Sequence, residues 1–295
     1  MLDYRIETFI TLCKTMNYRV AAEKLNITQP AVTQHIRYLE DYYNCKLFTY
    51  DKRKLSMTSK AKTLLHYVNT QNYQEQNLLK EMKKEEGYHF AIGTTKTIGE
   101  YMIYPQVVNF LKDKNNRLSI ETDNTENILD LLDQGKIDFA LIEGFFDRKE
   151  YAHKLYRSEP YVGFCSTQHP FAGRTVSMEE LIKETLIVRE QGSGTRNILE
   201  RILQVHNHAL EDFERVISIG NLGLLEQLVS NNIGITFAYY IIGMHNTKLA
   251  EFQVEGWKTE RELNYVFLPG TDAEKYVDIF DSQISIKKHK FSSFS

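Results

Sequence analysis

Two short runs in this chain carry residues suited to holding an anion. Arg189-Glu190-Gln191-Gly192-Ser193-Gly194-Thr195-Arg196 reads as a strand end passing through a Gly-rich turn into a helix. Free amides at the helix start and the hydroxyls of Ser193 and Thr195 would point at one spot, which suits a carboxylate, sulfate or phosphate. Thr94-Thr95-Lys96-Thr97 repeats the arrangement after an earlier strand. For both runs the alternative is that the hydroxyls only cap a helix. Neither has the lysine and spacing of a nucleotide-binding P-loop. Catalytic readings are weak. Ser193 sits in Gly-Ser-Gly, outside the Gly-x-Ser-x-Gly nucleophile pattern. His206 and His208 are two apart and diverge on a helix, so they are poor co-ligands for a metal. Cys165 lies in an apolar run and reads as core. Asp130 and Asp133 read as a solvated helix face.

A third set of residues suits nucleic acid. Gln29, Thr33, Gln34 and Arg37 share one face of a predicted helix, 29–42, whose other face carries Val32, Ile36 and Leu39. Thr28 is a good N-cap, and Pro30 falls in the first turn, where a missing N–H costs nothing. Gln can pair with adenine edges, Thr can meet a base or a thymine methyl, and the helix amides can hold phosphate. Taken alone, the face also fits a solvated helix. What surrounds it favours DNA. An amphipathic helix over 4–15 (Ile6, Phe9, Ile10, Cys13) and a second begun by Asn17 (Ala21, Ala22, Leu25) precede it. A strand at Leu47–Tyr50, a turn at Asp51-Lys52-Arg53-Lys54 and a returning strand at Leu55–Met57 follow it. That is a helix-turn-helix with a basic wing, and Lys52 and Arg53 can grip phosphate while the helix reads bases.

From Thr58 to about Glu86 there is neither Pro nor Gly, and Leu64, Val68, Leu78 and Met82 trace a helical seam. The seam would pair with a second chain or pack on its own. Gly87 terminates it. Beyond it, strands at 88–93, 118–122 and 137–142 alternate with helices at about 98–112 and 125–134, a doubly wound unit. A second unit has strands at 161–165, 185–188, 215–219 and 234–238. Its helices fall at 178–183, 197–206 and about 221–231. A strand at 261–267 returns to the first unit, with a C-terminal helix at 272–284. Two such lobes leave a cleft at strand ends and helix N-termini.

Phe9, Ala21-Ala22-x-x-Leu25, Thr28-Gln29-Pro30-Ala31-Val32-Thr33-x-x-Ile36-x-x-Leu39-Glu40, Leu47-Phe48 and Met57-Thr58 resemble the head of a LysR-type transcriptional regulator. The likeness continues through Ile92-Gly93, Asn124-Thr125 and Gly135-x-Ile137-Asp138-Phe139-Ala140-Leu141-Ile142-Glu143-Gly144. It extends to His169-Pro170-Phe171-Ala172, the Arg189–Arg196 run and Asn232-Ile233-Gly234-Ile235. Arg19, Asn44, Tyr50 and Lys62 depart from the usual pattern. The resemblance implies an α/β chain with an all-α-type winged helix-turn-helix head and a two-lobed, periplasmic-binding-protein-like effector domain. It implies DNA contacts from Thr28, Gln29, Pro30, Thr33, Gln34, Arg37, Lys52 and Arg53. An effector cleft would be lined by Thr94, Thr95, Lys96, Thr97, Thr125, Gly144, Phe145, Arg189, Ser193, Gly194 and Thr195. It also implies pairing through the linker helix, as a homodimer or homotetramer. The domains fall at 1–58, 59–87 and 88–295, with lobe I at about 88–160 and 266–295 and lobe II at about 161–265.

The whole-chain charge agrees with that division. The 295 residues carry a net charge of -3, yet residues 1–62 hold eleven Lys and Arg against six Asp and Glu. The head is therefore about +5 and the remainder about -8, a basic head able to meet a polyanion. With 42% hydrophobic and 25% charged residues the composition is that of a globular protein. There is no transmembrane run and no secretory signal, and three scattered cysteines make no disulfide framework or zinc site. The expectation is a cytoplasmic, non-enzymatic DNA-binding regulator without cofactor or metal. Its modulator is expected to be a small anion such as an organic acid, held near Lys96, Arg189 and Arg196. The rivals are a regulator with no small-molecule effector, a solute-binding module without DNA, and an enzyme with a fused basic head.

Overall fold

Local capping starts each helix of the head. In the computed structural model, which describes residues 3–52, 54–82, 86–244, 246–257 and 260–281, the chain divides into two units, parted near residue 85. In the first, Asp3 caps α1 (Tyr4–Thr15), and the Asn17 side chain accepts from the amides of Arg19 and Val20 to start α2 (Tyr18–Leu25). Asn26 ends α2 with φ 54°, a left-handed turn that Asn tolerates. Thr28 Oγ1 accepts from Ala31 N at 3.3 Å to start α3 (Gln29–Tyr42). Next come β1 (Phe48–Asp51) and β2 (Lys54–Met57), an antiparallel pair, then α4 (Ser59–Met82). Asp51 pairs with Lys54, so the wing turn is tighter than the four residues expected.

Phe9, Leu12, Ala21, Val32, Ile36, Leu39 and Leu47 form the core of this unit. Leu64 and Val68 of α4 belong to it too, whereas Leu78 and Met82 are exposed. The apolar seam of the linker is therefore divided, its first half covered by its own chain. Glu40 is buried beneath the wing. Its Oε1 accepts from Leu47 N at 2.9 Å and Phe48 N at 3.4 Å, and its Oε2 meets Lys46 Nζ at 2.6 Å. Glu40→Ala strands those two amides, and a loss of about 1–3 kcal/mol is expected. Thermal melts of the full chain check this, and Glu40→Gln, which keeps an acceptor, should lose less.

The second unit runs β3 (His89–Thr95), α5 (Lys96–Tyr101), α6 (Tyr104–Phe110), β4 (Arg117–Asp123), α7 (Thr125–Asp133), β5 (Phe139–Glu143) and β6 (Ala152–Ser166). It continues with β7 (Thr175–Val176), α8 (Met178–Leu181), β8 (Thr185–Arg189), α9 (Gly194–Val205), β9 (Arg215–Ile219) and α10 (Leu222–Ser230). It ends with β10 (Thr236–Tyr239), α11 (Tyr240–Met244), β11 (Leu249–Val254), β12 (Glu260–Phe267) and α12 (Ala273–Asp281). The main sheet has the order β4-β3-β5-β12-β6-β11-β7, with β10 also paired to β6. β3 lies parallel to β4 and β5, while β12 is antiparallel to β5 and β6. One half of β6 pairs with β12 and the other with β10 and β11, so this single strand passes from lobe I into lobe II.

The structure departs from the reading from sequence in three places. The helix read over 98–112 is two helices, because Pro105 has no N–H and its ring crowds the preceding turn. The strand read at 161–165 is 15 residues long and starts at Ala152. β11 has no counterpart in the reading from sequence. The C-terminal helix is described to Asp281, and its expected last turn lies outside the described residues.

Candidate functional site

α3 turns Val32, Ile36 and Leu39 into the head core and leaves Thr28, Gln29, Pro30, Gln34 and Arg37 exposed. Thr33 is half-buried. Its Oγ1 donates to Gln29 O at 3.1 Å and lies 3.2 Å from Gln29 Nε2. These groups therefore share one solvent-facing strip that runs from the helix start to Arg37. A hollow of about 400 Å³ beside it is lined by Asn17, Tyr18 and Arg19 at the start of α2, by Gln29, and by Tyr50 and Leu55 of the wing. Lys52 is exposed at the wing turn. Arg53 lies outside the described residues.

The second unit brings most of the other expected residues to one seam between its lobes, around a residue to which sequence reasoning assigned no role. Glu143 ends β5 and is 1% exposed. Its Oε1 accepts from Thr97 Oγ1 at 3.2 Å and from Thr195 Oγ1 at 3.0 Å. Thr97 belongs to the first turns of α5 in lobe I, and Thr195 to those of α9 in lobe II. The Glu143 carbonyl accepts from Thr125 Oγ1 at 3.1 Å. A Cβ on Gly194 would stand 2.4 Å from that carbonyl oxygen, and one on Gly144 would stand 2.8 Å from Gly194 Cα. Both glycines are there because backbone meets backbone. Gly144 also takes φ 89°, which L side chains rarely adopt.

α9 starts at Gly194, three residues earlier than the reading from sequence, which makes Ser193 its N-cap. Yet neither Ser193 nor Thr95, the N-cap of α5, makes a side-chain capping bond, and both hydroxyls are buried without a partner among the described residues. The alternative weighed from sequence, that they only cap helices, does not describe them. Thr94 differs: its hydroxyl pairs with Thr122 Oγ1 of β4 at 3.0 Å and is engaged within lobe I. Phe145 is partly exposed with the Arg201 guanidinium 3.5 Å over its ring. It lines a separate cavity of about 270 Å³ with Gly144, Phe146, Arg148, Ile198 and residues of β12.

The cations near the seam are committed. Glu190 accepts from Arg189 Nε at 2.9 Å, from Arg189 Nη2 at 3.1 Å and from Lys96 Nζ at 3.0 Å. Burial would raise the Glu190 carboxyl, but these hydrogen bonds hold it below the ordinary range. Arg196 pairs with Glu200 at 2.7 Å. Lys96 and Arg196, counted from sequence as cations for an anion, are thus already paired, although Lys96 and Arg189 share the single Glu190 carboxylate. Arg189 keeps one nitrogen, Nη1, buried without a partner among the described residues. Burial pushes the Glu143 carboxyl up, against the opposing pull of Arg189. Lys96 Nζ also reaches Gly220 O at 2.8 Å, and Tyr101 donates to Glu226, so several polar contacts span the lobes. Glu143 was hard to find from sequence because it closes an apolar run; the only signal was a carboxylate where the strand's polar end should be solvated.

A winged helix-turn-helix followed by a two-lobed α/β domain with polar groups meeting at the interlobe seam is the architecture of a transcriptional regulator with an effector-binding domain. Similarity to known proteins agrees. The "Bacterial regulatory helix-turn-helix protein, lysR family" profile matches residues 4–62, and the "LysR substrate binding domain" profile matches residues 83–280. The chain belongs to the LysR family of transcriptional regulators. It is 27% identical to the HTH-type transcriptional regulator CysL of Bacillus subtilis, over 98% of this chain and 97% of that one. A full-length OxyR variant from Pseudomonas aeruginosa shares the fold with a TM-score of 0.60 at 17% identity, covering 96% of this chain and 94% of that one. The regulatory domain of Synechocystis PCC6803 CcmR in complex with 2-PG gives a TM-score of 0.60 at 18% identity, covering 68% of this chain and 98% of that one. Members of the family are regulators, not enzymes. Among the described residues no helix is long and apolar enough to cross a membrane.

Proposed function

We propose that this chain is a cytoplasmic, sequence-specific DNA-binding regulator whose assembly on DNA responds to a small polar ligand held between the lobes of its effector domain. The observation that carries the DNA reading is the exposed strip of α3, with Gln29, Thr33, Gln34 and Arg37 facing solvent while Val32, Ile36 and Leu39 are buried. In this reading Thr28 and Pro30 present the helix N-terminus to phosphate, the strip reads base edges in the major groove, and Lys52 with Arg53 grips the backbone. Domains at 1–58, 59–87 and 88–295 then correspond to head, linker helix and effector domain. Exposed Leu78, Leu79 and Met82 on α4 supply an apolar surface for a second copy, giving a homodimer or homotetramer.

The ligand reading rests on buried groups without partners at the seam: Thr95, Ser193, Arg189 Nη1 and Glu143 Oε2. Buried polar groups are normally satisfied, and a ligand would satisfy these. Regulation then requires that the ligand bind one assembly state more tightly than another. The test is a gel shift of the full chain on DNA from its own upstream region, with random duplex as competitor. Salt-sensitive, sequence-selective retention is expected. Retention equal on random duplex overturns the specific reading.

A further inference from the structure

Glu143 is an acceptor at a place furnished mainly with donors. It is 1% exposed, its Oε1 holds Thr97 and Thr195 from opposite lobes, and its Oε2 accepts no hydrogen bond from the described residues. Within two residues of those threonines lie the unpartnered hydroxyls of Thr95 and Ser193, the latter 1% exposed at the start of the 12-residue α9. Arg189, 3% exposed, has two guanidinium nitrogens on Glu190 and leaves Nη1 open. Donors of this kind select an oxyanion. A bare oxyanion beside an ionised, buried carboxylate would be repelled, since like charges cannot share a dry site. One proton removes the conflict, because it turns the repulsion into an O–H···O⁻ hydrogen bond.

We propose that the interlobe seam takes a small oxyanion together with one proton, held between Glu143 Oε2 and an oxygen of the ligand. This rests on the reading that the ligand binds between the lobes, and it makes Glu143 the residue that selects protonated from fully ionised oxyanions. A ligand with its own proton donates it to ionised Glu143. A ligand without one requires Glu143 to take a proton from solvent and donate it. No covalent bond forms or breaks other than that O–H.

The surrounding groups leave this assignment to Glu143. Arg189 and Glu190 face it from the end of β8, and Lys96 on α5 is bound to Glu190. Tyr161 on β6 and Tyr239 on β10 are held far above neutrality by burial, so both stay neutral. Arg261 acts on those tyrosines, and Glu126 of α7 lies against Gly192. Burial raises the Glu143 carboxyl. A carboxyl raised in the folded state binds its proton more readily than the unfolded chain does. The protonated form therefore persists above the ordinary carboxylate range and is lost as pH rises through the folded value.

Calorimetric titration of the full chain with inorganic phosphate and with sulfate tests this. Phosphate keeps a proton wherever the protein is folded, and sulfate keeps none. Phosphate is expected to bind tighter, and sulfate affinity should fall about tenfold per pH unit once Glu143 ionises. In Glu143→Gln, whose amide oxygen can still accept from Thr97 and Thr195, the pH slope and the preference should both vanish. Sulfate binding as tight as phosphate at every pH overturns the proposal, and so does a preference that survives in Glu143→Gln. The pH slope of the unmodified protein is decisive by itself if the variant does not fold. If neither ion binds saturably to either protein, the small-oxyanion reading of the seam fails as well. Sulfate binding without pH dependence fails only the proton.

Discussion

Gln29→Ala and Arg37→Ala should each weaken binding of the full chain to its specific DNA site by about 1–3 kcal/mol, and together by a factor of roughly thirty or more. Both side chains are exposed on α3, and neither belongs to the head core. Exposed substitutions of this kind usually move stability by less than about 0.5 kcal/mol, so the melting temperature should be nearly unchanged. The loss would then belong to the contact and not to the fold. Lys52→Ala, placed on the wing turn, should behave differently. A phosphate contact weakens specific and random duplex alike and lowers the salt slope by about one. Competitive gel shifts at several salt concentrations, beside circular-dichroism melts, separate the two patterns. Specific binding unchanged in the double variant would place the reading surface somewhere other than this strip.

The second large effect is expected at Gly194. An alanine there puts its Cβ 2.4 Å from the Glu143 carbonyl oxygen and 2.8 Å from Thr125 Oγ1. That carbonyl ends a fully buried strand and already accepts from Thr125, so it has little freedom to yield. Overpacking of this kind costs about 1–3 kcal/mol, roughly 2–4 °C of melting temperature per kcal/mol for a domain of this size. The strain falls on the contact between lobes, so Gly194→Ala should also lose whatever ligand binding the intact chain has. Gly220→Ala is the control, because the nearest atom to its Cβ would be Glu190 Cδ at 3.8 Å. Differential scanning calorimetry of both variants, with and without ligand, measures the contrast. Equal melting temperatures for the two would mean that the lobes part more easily than their contact suggests.

Capping and periodicity made the head readable in advance. Thr28 before Gln29-Pro30, Asn17 before Tyr18, and Val32, Ile36 and Leu39 on one face are all contacts within a few residues of chain. The caps are local contacts and the period marks the apolar face, although what buries that face comes from α1, α2 and the wing. The same reasoning overran the helix at 98–112, although Pro105 marked the break. It also found an apolar seam on α4 without knowing what would cover it. Period shows that a face is apolar; whether Leu64 and Val68 meet their own head or a second chain is a matter of packing.

The seam between the lobes was half legible. Thr95, Thr97, Ser193 and Thr195 announced themselves as hydroxyls at strand-to-helix turns. The charges beside them misled: Glu200 takes up Arg196 four residues away on the same helix, a pairing the spacing allows, whereas Lys96 meets Glu190 94 residues away, which only the folded chain reveals. Glu143 stands 46 residues from Thr97 and 52 from Thr195. The helices and caps of the head, its basic charge and the family are legible along the chain, because capping, period and composition depend on near neighbours. That a buried carboxyl occupies the meeting point of the two lobes becomes visible in the folded chain alone. Desolvation and hydrogen bonding act through space between residues that the chain keeps far apart.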